Sequence, residues 1–447
     1  MDAVLSQDGL LQAAGAVLRA NDLGHMMKAG PALYPHQWSW DAAFIAIGLA
    51  QLDVSRAITE LRTVLAAQWS TGMLPHIVFS DQTDYFPGPE AWRTADAPAR
   101  PAGIQTSGIC QPPVHAIAVR SLLDTARRAG GAAQAEAEEF VRESIGRLAS
   151  WHDWLSGSRV LDPHGLVEIH HGWESGMDNS PRFDSCYAAV HPRVHYDLPR
   201  TDLQHADASE RPTDTEYQRY LWLVNQLADV HFDDALAART VDFRCGDVFL
   251  TAVLALAADD LAVLADDLGD RERAEAERAR ADTCRAAVAA SLNPDTGLCR
   301  DYDLRAQAWI RSETIAGFSL LICGGPDALV TQQRRLLLGE RWMGHRSLRF
   351  PLPPSVTPES PDYRPRTYWR GPVWPIMNWL LAHAALLRGD RALADALRGP
   401  GLEQLAADGH FAEYYQPATG EPLGSPQQSW TAMAAIDWLC DPRWTVP

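Results

Sequence analysis

Lysine is almost absent from this sequence: Lys28 is the only one, so nearly all of the 39 basic residues are arginines. We interpret this as a composition bias of the genome and not as a functional feature. Acidic residues outnumber basic ones, and the formal net charge is −18 at pH 7. Since nucleic acids and anionic membranes repel a negatively charged surface, we expect neither as a partner.

The sequence also lacks the features of exported and membrane proteins. Its first residues have no basic region followed by an apolar run, so we expect no signal peptide. The longest apolar run, residues 42–50, is too short to cross a bilayer. The seven cysteines are scattered without a C-x-x-C pair, which is typical of reduced thiols in a large cytosolic protein. We therefore expect a cytoplasmic protein.

Several catalytic and cofactor motifs are missing as well. The sequence has no G-x-S-x-G, no Walker A motif, no G-x-G-x-x-G and no H-E-x-x-H. The pair His170–His171 has no nearby Cys/His cluster, which favours a structural role. The acids Asp295, Asp301 and Asp303 lack the turn glycine of an EF-hand loop. We expect neither a cofactor nor a metal.

Apolar residues recur at helical spacing along most of the chain, and no strand-rich block occurs; short paired β segments are expected only in the long loops. The predicted helices cover residues 6–20, 42–52, 54–69, 111–128, 133–155, 215–231, 244–264, 268–291, 306–321, 327–338, 371–388, 390–407 and 426–440. Two concentric rings of six helices, an α/α toroid, would bury so many amphipathic helices compactly. An open helical solenoid is the alternative, but no fixed repeat period supports it.

Residues 170–184, HHGWESGMDNSPRFD, bring acids close to an aromatic ring in a predicted loop. Gly172 and Gly176 interrupt any helix and allow sharp turns. Within or just before the stretch are four acids, Glu168, Glu174, Asp178 and Asp184. Carboxylates beside a flat apolar surface are what cleavage of a glycosidic bond requires. A polar surface loop with capping residues is the alternative.

Tryptophan is abundant, with sixteen in the chain. The apolar face of a sugar ring stacks on aromatic rings, so tryptophans in loops are candidates for carbohydrate binding. The loop tryptophans are Trp38, Trp40, Trp92, Trp173, Trp369 and Trp374. Those predicted to be core residues of helices are Trp69, Trp151, Trp154, Trp379 and Trp438.

A second acidic stretch, GHFAEYYQ at residues 409–416, places Glu413 between aromatic residues. Hydrolysis of a glycosidic bond needs two carboxyl groups on opposite sides of the anomeric carbon. Asp178 and Glu413 lie on two loops far apart in the sequence and fit such a pair. Glu421 is interpreted as a solvated turn residue, and Arg366 and Arg370 as structural ion-pair partners.

Taken together, these motifs resemble family 63 of the glycoside hydrolases, and within it the bacterial glucosylglycerate and mannosylglycerate hydrolases. The motifs are ESGMDNSPRFD, YPHQWSWDAAF, WRGPVWP and AEYYQPATGEPLGSPQQSW, and the likeness runs in order from about residue 20 to residue 440. The resemblance implies an all-α (α/α)6 barrel and hydrolysis with inversion of configuration. It also implies that Asp178 is the general acid and Glu413 the general base.

The resemblance further implies a set of substrate contacts. The sugar would be bound by Tyr34, Trp38, Trp40, Asp41, His76, Gln111, Trp173, Trp374 and Gln428. A glycerate aglycone carries a carboxylate that needs hydrogen-bond donors, and Arg211, Tyr217 and Tyr368 are the candidates. A structural role is the alternative for Arg211. Tyr85 and Trp369 complete the predicted substrate-binding residues.

We predict an inverting glycoside hydrolase that converts 2-O-α-D-glucosylglycerate, a small molecule, to glucose and glycerate. Residues 1–447 would form a single catalytic (α/α)6-barrel domain, with lid loops at about 70–110 and 182–214 that close over the substrate. A homo-oligomer is expected from the family. Hydrolysis of mannosylglycerate, or of both substrates, is the first alternative, because the two sugars differ in one hydroxyl orientation. A trehalase or α-glucosidase-like enzyme, a non-catalytic sugar-binding protein and a sugar epimerase are the others.

Overall fold

The computed structural model describes residues 4–82 and 85–445, so positions 83 and 84 of the first predicted lid lie outside the described residues. Its α-helices are α1 Gln7–Asn21, α2 Ser39–Leu52, α3 Val54–Ala66, α4 Pro89–Trp92, α5 His115–Ala129, α6 Gly131–Ser158, α7 Asp184–Ala188, α8 Asp214–Asp229, α9 Asp234–Thr240, α10 Val248–Asp267, α11 Arg271–Ala290, α12 Ser319–Cys323, α13 Asp327–Leu338, α14 Pro375–Leu387, α15 Arg391–Asp408 and α16 Ser429–Cys440. The strands are β1 Gln37–Trp38, β2 Ile77–Val78, β3 Val167–Ile169, β4 Cys245–Asp247, β5 Tyr302–Asp303, β6 Ala308–Trp309, β7 Tyr414–Tyr415 and β8 Pro422–Leu423.

Six of the described helices form an inner ring, in the order α2, α5, α10, α12, α14 and α16, and α16 packs on α2 to close it. Apart from α5, which is amphipathic, these helices are apolar on nearly all sides, which is stable only when other helices surround them. Within the part of the chain that the structure describes, α10 is the one helix long and apolar enough to span a membrane. Its residues are almost all buried, as expected for a helix of this ring.

An outer ring covers the inner one. It consists of α1, α3, α6, α11, α13 and α15, and each of these packs on an inner helix next to it in the sequence, except that α1 packs on α16. Outer helices are amphipathic: α3 buries Ala57, Ile58 and Leu61 on one face, and the Asp53 carboxylate caps its first turn. The predicted all-α (α/α)6 barrel is confirmed.

The helix predicted for residues 306–321 is wrong over its first half. The structure has the hairpin β5–β6 there, and α12 begins only at Ser319 after a 3₁₀ turn. The Asp303 carboxylate accepts hydrogen bonds from the backbone N–H groups of Arg305 (3.0 Å) and Ala306 (2.9 Å). Gln307 takes a φ of 52°, so the chain turns at this point instead of continuing a helix.

Short antiparallel strands gather where the inner helices begin, and they confirm the β segments predicted for the loops. β1 pairs with β2, β7 pairs with β8, and β3, β4, β5 and β6 form one four-stranded sheet in that order. β1 leads directly into α2, and β4 leads directly into α10. The loops that carry most of the predicted site residues precede α2, α5, α14 and α16, and therefore meet at one end of the barrel.

Candidate active site

A cavity opens at the end of the barrel where the inner helices begin. About 610 Å³ of space free of atoms lies between its walls, counted together with open solvent at its mouth. Its walls are formed by Tyr34, Trp38, Trp40, Asp41, His76, Tyr85, Phe86, Pro87, Gln111, Trp173, Gly176, Asp178, Arg211, Tyr217, Tyr368, Glu413, Gln428 and Trp430. The cavity thus collects side chains from positions that span nearly the whole sequence.

All of the predicted site residues line this cavity except Trp369 and Trp374. The rings of these two tryptophans stack on each other, with centroids 3.7 Å apart and planes 5° apart. The ring of Trp374 lies 5.3 Å from that of Tyr368, which stands between it and the open space. Trp369 and Trp374 therefore support the Tyr368 wall and do not form it.

The cavity is also lined by residues that the sequence did not predict as site residues: Phe86, Pro87, Gly176 and Trp430. Trp430 lies in the first turn of α16, where an inner-helix side chain reaches the end of the barrel. A rule that assigns helical tryptophans to the core misses such a position. Conversely, Trp92, which the sequence placed in a loop, is the last residue of α4, is fully buried and packs against His76 and Trp173.

The four acids of the loop at residues 168–184 have different environments. Glu168 binds Arg244 and His170, and Asp184 binds Arg370. Glu174 is fully buried, where it pairs with Arg159 and accepts hydrogen bonds from the backbone N–H groups of Cys110 and His170. Asp178 is the member of the set that lines the cavity.

The backbone around Asp178 is held by buried contacts on both sides. Gly176 has a φ of 71°, and a Cβ atom there would lie 2.6 Å from the Trp40 ring, so glycine is required. Arg182 is fully buried and forms ion pairs with Asp301 (2.5 Å) and Asp247 (2.7 Å). These ion pairs fix the chain just after Asp178 and hold the Asp301 carboxylate.

Burial dominates the electrostatics of Asp178. It raises the pKa of this carboxyl from 3.8 to about 7; Arg211 lowers the pKa and the Glu413 charge raises it. The Asp178 side chain makes no hydrogen bond to any other residue that the structure describes. A partly buried carboxyl without such donors favours its neutral, protonated form.

Glu413 faces the same cavity but is held by donors. Its Oε1 accepts a hydrogen bond from the Tyr34 hydroxyl (2.8 Å), and its Oε2 accepts one from the backbone N–H of Ser425 (3.1 Å). Burial raises its pKa from 4.5 to about 7, while Arg211 and these two donors lower it. Because donors stabilise a carboxylate, a proton shared between the two acids is favoured on Asp178.

A third carboxyl, that of Asp41, lies in the first turn of α2 and also lines the cavity. Burial raises its pKa well above the usual range, and the charges of Glu413 and Asp178 raise it further. Nearby, the Gln111 Oε1 accepts a hydrogen bond from the Trp40 backbone N–H (3.3 Å). This leaves the Gln111 amide N–H₂ and the Asp41 oxygens to bind ligand hydroxyls.

Aromatic rings form the other faces of this inner part. The rings of His76 and Trp173 stack at 6.1 Å with planes 17° apart, and the Trp38 ring meets His76 edge-on at 6.4 Å. Burial and the charge of His171 lower the pKa of His76 to about 3, so its imidazole is neutral. Its Nδ1 lies 3.1 Å from the Ser107 hydroxyl, which fixes the ring.

Arg211 supplies the positive charge in another wall of the cavity, beside Tyr34 and Tyr368. Its Nη1 donates to the Tyr34 hydroxyl (2.9 Å), and its guanidinium group lies 4.6 Å above the Tyr368 ring. The Tyr34 and Tyr368 hydroxyls are 3.2 Å apart. One tyrosine hydroxyl, that of Tyr34, thus touches both Arg211 and Glu413.

The site is suited to acid–base chemistry on a small polar ligand. It combines two carboxyl groups with unequal hydrogen bonding, aromatic faces and one guanidinium group. Among the residues that the structure describes, no group of three or more His, Cys, Asp or Glu side chains is arranged to hold a metal ion. His170 and His171 are each bound within the protein, to Glu168 (2.7 Å) and to the Tyr220 carbonyl oxygen (3.1 Å).

Comparisons with known proteins point to one enzyme family. Residues 34–431 match the model of the family described as mannosylglycerate hydrolase MGH1-like glycoside hydrolase domain. The glucosylglycerate hydrolase of Mycolicibacterium hassiacum is 49% identical over 95% of this chain and 96% of its own. The mannosylglycerate hydrolase of Thermus thermophilus is 39% identical over 94% of this chain and 98% of its own.

A solved structure supports the same relationship. The crystal structure of a family 63 mannosylglycerate hydrolase from Thermus thermophilus, in complex with Tris and D-glycerate, superposes with a TM-score of 0.86. It is 38% identical and covers 96% of this chain and 99% of its own. Neutral trehalase of Saccharomyces cerevisiae, 14% identical with a TM-score of 0.54, shares the fold alone; it covers 92% of this chain and 73% of its own.

Proposed function

Because this chain belongs to family 63 of the glycoside hydrolases, in its MGH1-like group, we propose that it hydrolyses 2-O-α-D-glucosylglycerate to glucose and glycerate. The observation that carries the proposal is the pair of carboxyl groups in one cavity with unequal hydrogen bonding. Glu413 is held by two donors, and Asp178 has none from any other described residue. This asymmetry supports one acid and one base, as glycoside hydrolysis requires.

In the proposed mechanism, Asp178 is the general acid and Glu413 the general base. The ionised Glu413 takes a proton from a water molecule, and the water oxygen attacks the anomeric carbon. The bond from that carbon to the glycerate oxygen breaks on the opposite face, and Asp178 gives its proton to the departing oxygen. Attack and departure on opposite faces invert the configuration, so the first sugar released is β-glucose.

The two parts of the cavity suit the two halves of this substrate. Trp38, Trp40, Trp173, Asp41 and Gln111 surround the space beside the carboxyl pair, where aromatic faces and hydroxyl partners suit a glucosyl ring. The wall of Arg211, Tyr217 and Tyr368 suits glycerate, since a guanidinium group binds a carboxylate through paired, charge-assisted hydrogen bonds.

Mannosylglycerate is the second candidate substrate. Several relatives are mannosylglycerate hydrolases, and the two substrates differ only in the orientation of one sugar hydroxyl. The identity of 49% to a glucosylglycerate hydrolase, against 39% to a mannosylglycerate hydrolase, favours the glucosyl compound. A non-catalytic sugar-binding protein is disfavoured, because such a protein has no need for an acid–base pair.

We also propose that residues 1–447 act as a single catalytic domain, whose loops at about 70–110 and 182–214 form lids. Tyr85 on the first loop and Arg211 on the second both line the cavity, which supports this role. All seven cysteines are free and six are buried, which supports a reducing compartment such as the cytoplasm.

Proton NMR of glucosylglycerate with the purified protein tests the proposal directly. The β-anomer of glucose should appear first, and this result would place the two carboxyl groups roughly 6.5–9.5 Å apart. Early α-glucose would mean retention and a different role for Glu413. Mannosylglycerate and trehalose are run in parallel, and no release from any of the three would reject a hydrolase acting on these small glycosides.

A further inference from the structure

Asp202 connects two residues of the proposed glycerate wall, yet it does not line the active-site cavity. It lies in a 3₁₀ turn of the second lid loop, Thr201–Gln204. Its Oδ2 accepts hydrogen bonds from the Arg211 Nε (3.3 Å) and from the Tyr217 hydroxyl (3.3 Å). The Arg200 guanidinium group holds the same carboxylate through Nε (2.8 Å) and Nη2 (2.9 Å).

The Asp202 carboxylate is ionised in this setting. Burial alone would raise its pKa, but the guanidinium groups of Arg200 and Arg211 outweigh burial and lower the pKa below its usual value. An ionised carboxylate can only accept hydrogen bonds. The Tyr217 hydroxyl must therefore donate its one hydrogen bond to Asp202.

The contacts of the Asp202 carboxylate determine which hydrogen-bond donors and acceptors the glycerate wall presents to a ligand. Tyr217 has only oxygen lone pairs left, so it can accept a hydrogen bond from a ligand hydroxyl but cannot donate one to a carboxylate. Arg211 has its Nε bound to Asp202 and its Nη1 bound to Tyr34. A guanidinium group carries more N–H donors than these two contacts use, and since Arg211 lines the cavity, donors remain for a ligand.

We propose that Asp202 is a positioning residue that sets this polarity, so that the wall selects an aglycone with both a carboxylate and a free hydroxyl. Arg211 receives the carboxylate, and Tyr217 receives the hydroxyl. The inference rests on the proposed function, which it deepens by assigning Asp202 a role in the selection of the aglycone. Asp202 itself does not touch the substrate; it acts through Arg211 and Tyr217.

Three substrates that differ only in the aglycone measure this selection. They are α-glucosylglycerate, α-glucosyl-lactate, which lacks the free hydroxyl, and α-glucosylglycerol, in which a hydroxymethyl group replaces the carboxylate. The native enzyme should prefer glucosylglycerate over each analogue by at least about tenfold in kcat/KM, the scale for losing one buried hydrogen bond. If the native enzyme cleaves none of the three, the proposed function fails and the role of Asp202 fails with it.

Asp202→Asn keeps the size of the side chain but places N–H donors where only acceptors stood. The preference for glucosylglycerate over glucosyl-lactate should fall to within about threefold, because Tyr217 no longer has to donate away from the cavity. The rate constant kcat on glucosylglycerate should stay within about threefold. A native enzyme that cleaves glucosylglycerate and an Asn variant with unchanged preference would overturn the inference and leave the proposed function intact.

Two controls separate positioning from loss of structure. Asp441 is a buried carboxylate that also bridges two arginines, Arg128 (3.0 Å) and Arg443 (2.9 Å), at the far end of α16. Asp441→Asn should lower the melting temperature without changing the substrate preference. Tyr217→Phe should abolish the preference for the hydroxyl, and adding Asp202→Asn to it should change that preference no further. If the effects of the two substitutions on the preference add up in the double variant, Asp202 does not act through Tyr217 and the inference is wrong.

Discussion

The inner part of the cavity and its glycerate wall are built in different ways. The inner part uses side chains at the beginnings of inner-ring helices, such as Trp40 and Asp41 on α2 and Trp430 on α16. The wall uses Arg211 on the second long loop, Tyr217 in the first turn of α8 and Tyr368 in a 3₁₀ turn before α14. Apolar packing of two helical rings fixes the first, whereas a chain of polar contacts fixes the second.

The difference shows in what surrounds individual residues. Trp40 is buried among the rings of Phe44, Phe249 and Trp430, with centroids 5.3–6.5 Å away. The wall instead depends on Arg200, whose backbone φ of 43° is unfavourable for a residue with a side chain. We expect substitutions in the inner part to change kcat and substitutions in the wall to change KM.

The largest effect should come from the carboxyl pair. Asp178→Asn or Glu413→Gln should lower kcat by about 100- to 10,000-fold, because each removes a group that transfers a proton in the rate-limiting chemistry. Glycerate binding, measured by calorimetry, should change little. Asp184→Asn is the matched control from the same loop, since Asp184 pairs with Arg370 outside the cavity. Comparable losses in all three variants would mean that the loop matters only as structure.

Arg211→Gln should have the next largest effect, on the wall side of the comparison. Loss of a charged hydrogen-bond donor is worth about 1.5–3 kcal/mol, so KM for glucosylglycerate should rise about 10- to 100-fold. Neutral α-glucosylglycerol should show a much smaller increase. Steady-state kinetics at the pH optimum of each variant provides the measurement, and Arg62→Gln, an exposed pair with Glu143, is the control. Equal losses on the charged and neutral substrates would remove Arg211 from carboxylate recognition.

The same contrast explains how much the sequence predicts. Apolar periodicity predicted the helices and the double ring, because burial of amphipathic faces is a local and repeated requirement. The family resemblance is confirmed by the match over residues 34–431. The prediction failed at the β5–β6 hairpin, because the helix expected at residue 306 is replaced by a turn that the single side chain of Asp303 stabilises.

Within the site, the sequence identified side chains by their motif but not by their environment. Asp178 and Glu174 are four positions apart in one motif, yet the former lines the cavity and the latter is locked to Arg159. Asp202 had no local signal at all, since its partners Arg211 and Tyr217 are brought to it by the path of an irregular loop. Such contacts depend on tertiary structure and produce no periodic pattern in the sequence.

Tyr34 contacts both Glu413 and the wall residue Arg211, so its hydroxyl should influence the pH dependence of turnover. Activity rises as Glu413 loses its proton and falls as Asp178 loses its own, and both pKa values are raised to about 7, so the native profile should be a narrow bell near neutral pH. Tyr34→Phe removes a donor that stabilises the Glu413 carboxylate. The pKa of Glu413 should therefore rise, and the acidic limb should move upward by about one unit or less.

The pH profile of kcat/KM with glucosylglycerate gives this measurement. Tyr196→Phe is the control, because the Tyr196 hydroxyl binds Asn225 away from the cavity. Its acidic limb should stay in place. A downward shift in Tyr34→Phe would show that Tyr34 destabilises the carboxylate and would reverse the assigned direction of that hydrogen bond.

The smallest effect concerns stability, and here the two regions should differ in sign. Burial raises the pKa of Asp178 above its unfolded value, so the unfolded chain loses this proton first as pH rises above about 4. Ionisation of Asp178 therefore destabilises the fold increasingly up to about pH 7. Asp178→Asn should raise the melting temperature by about 1–3 °C at pH 8, and the gain should vanish near pH 4.

In contrast, the pKa of Asp202 is lowered, so Asp202→Asn should reduce the melting temperature at pH 8. Calorimetric scans of both variants at the two pH values test the comparison. A stabilised Asp202→Asn would mean that the polar network of the wall is strained like the carboxyl pair.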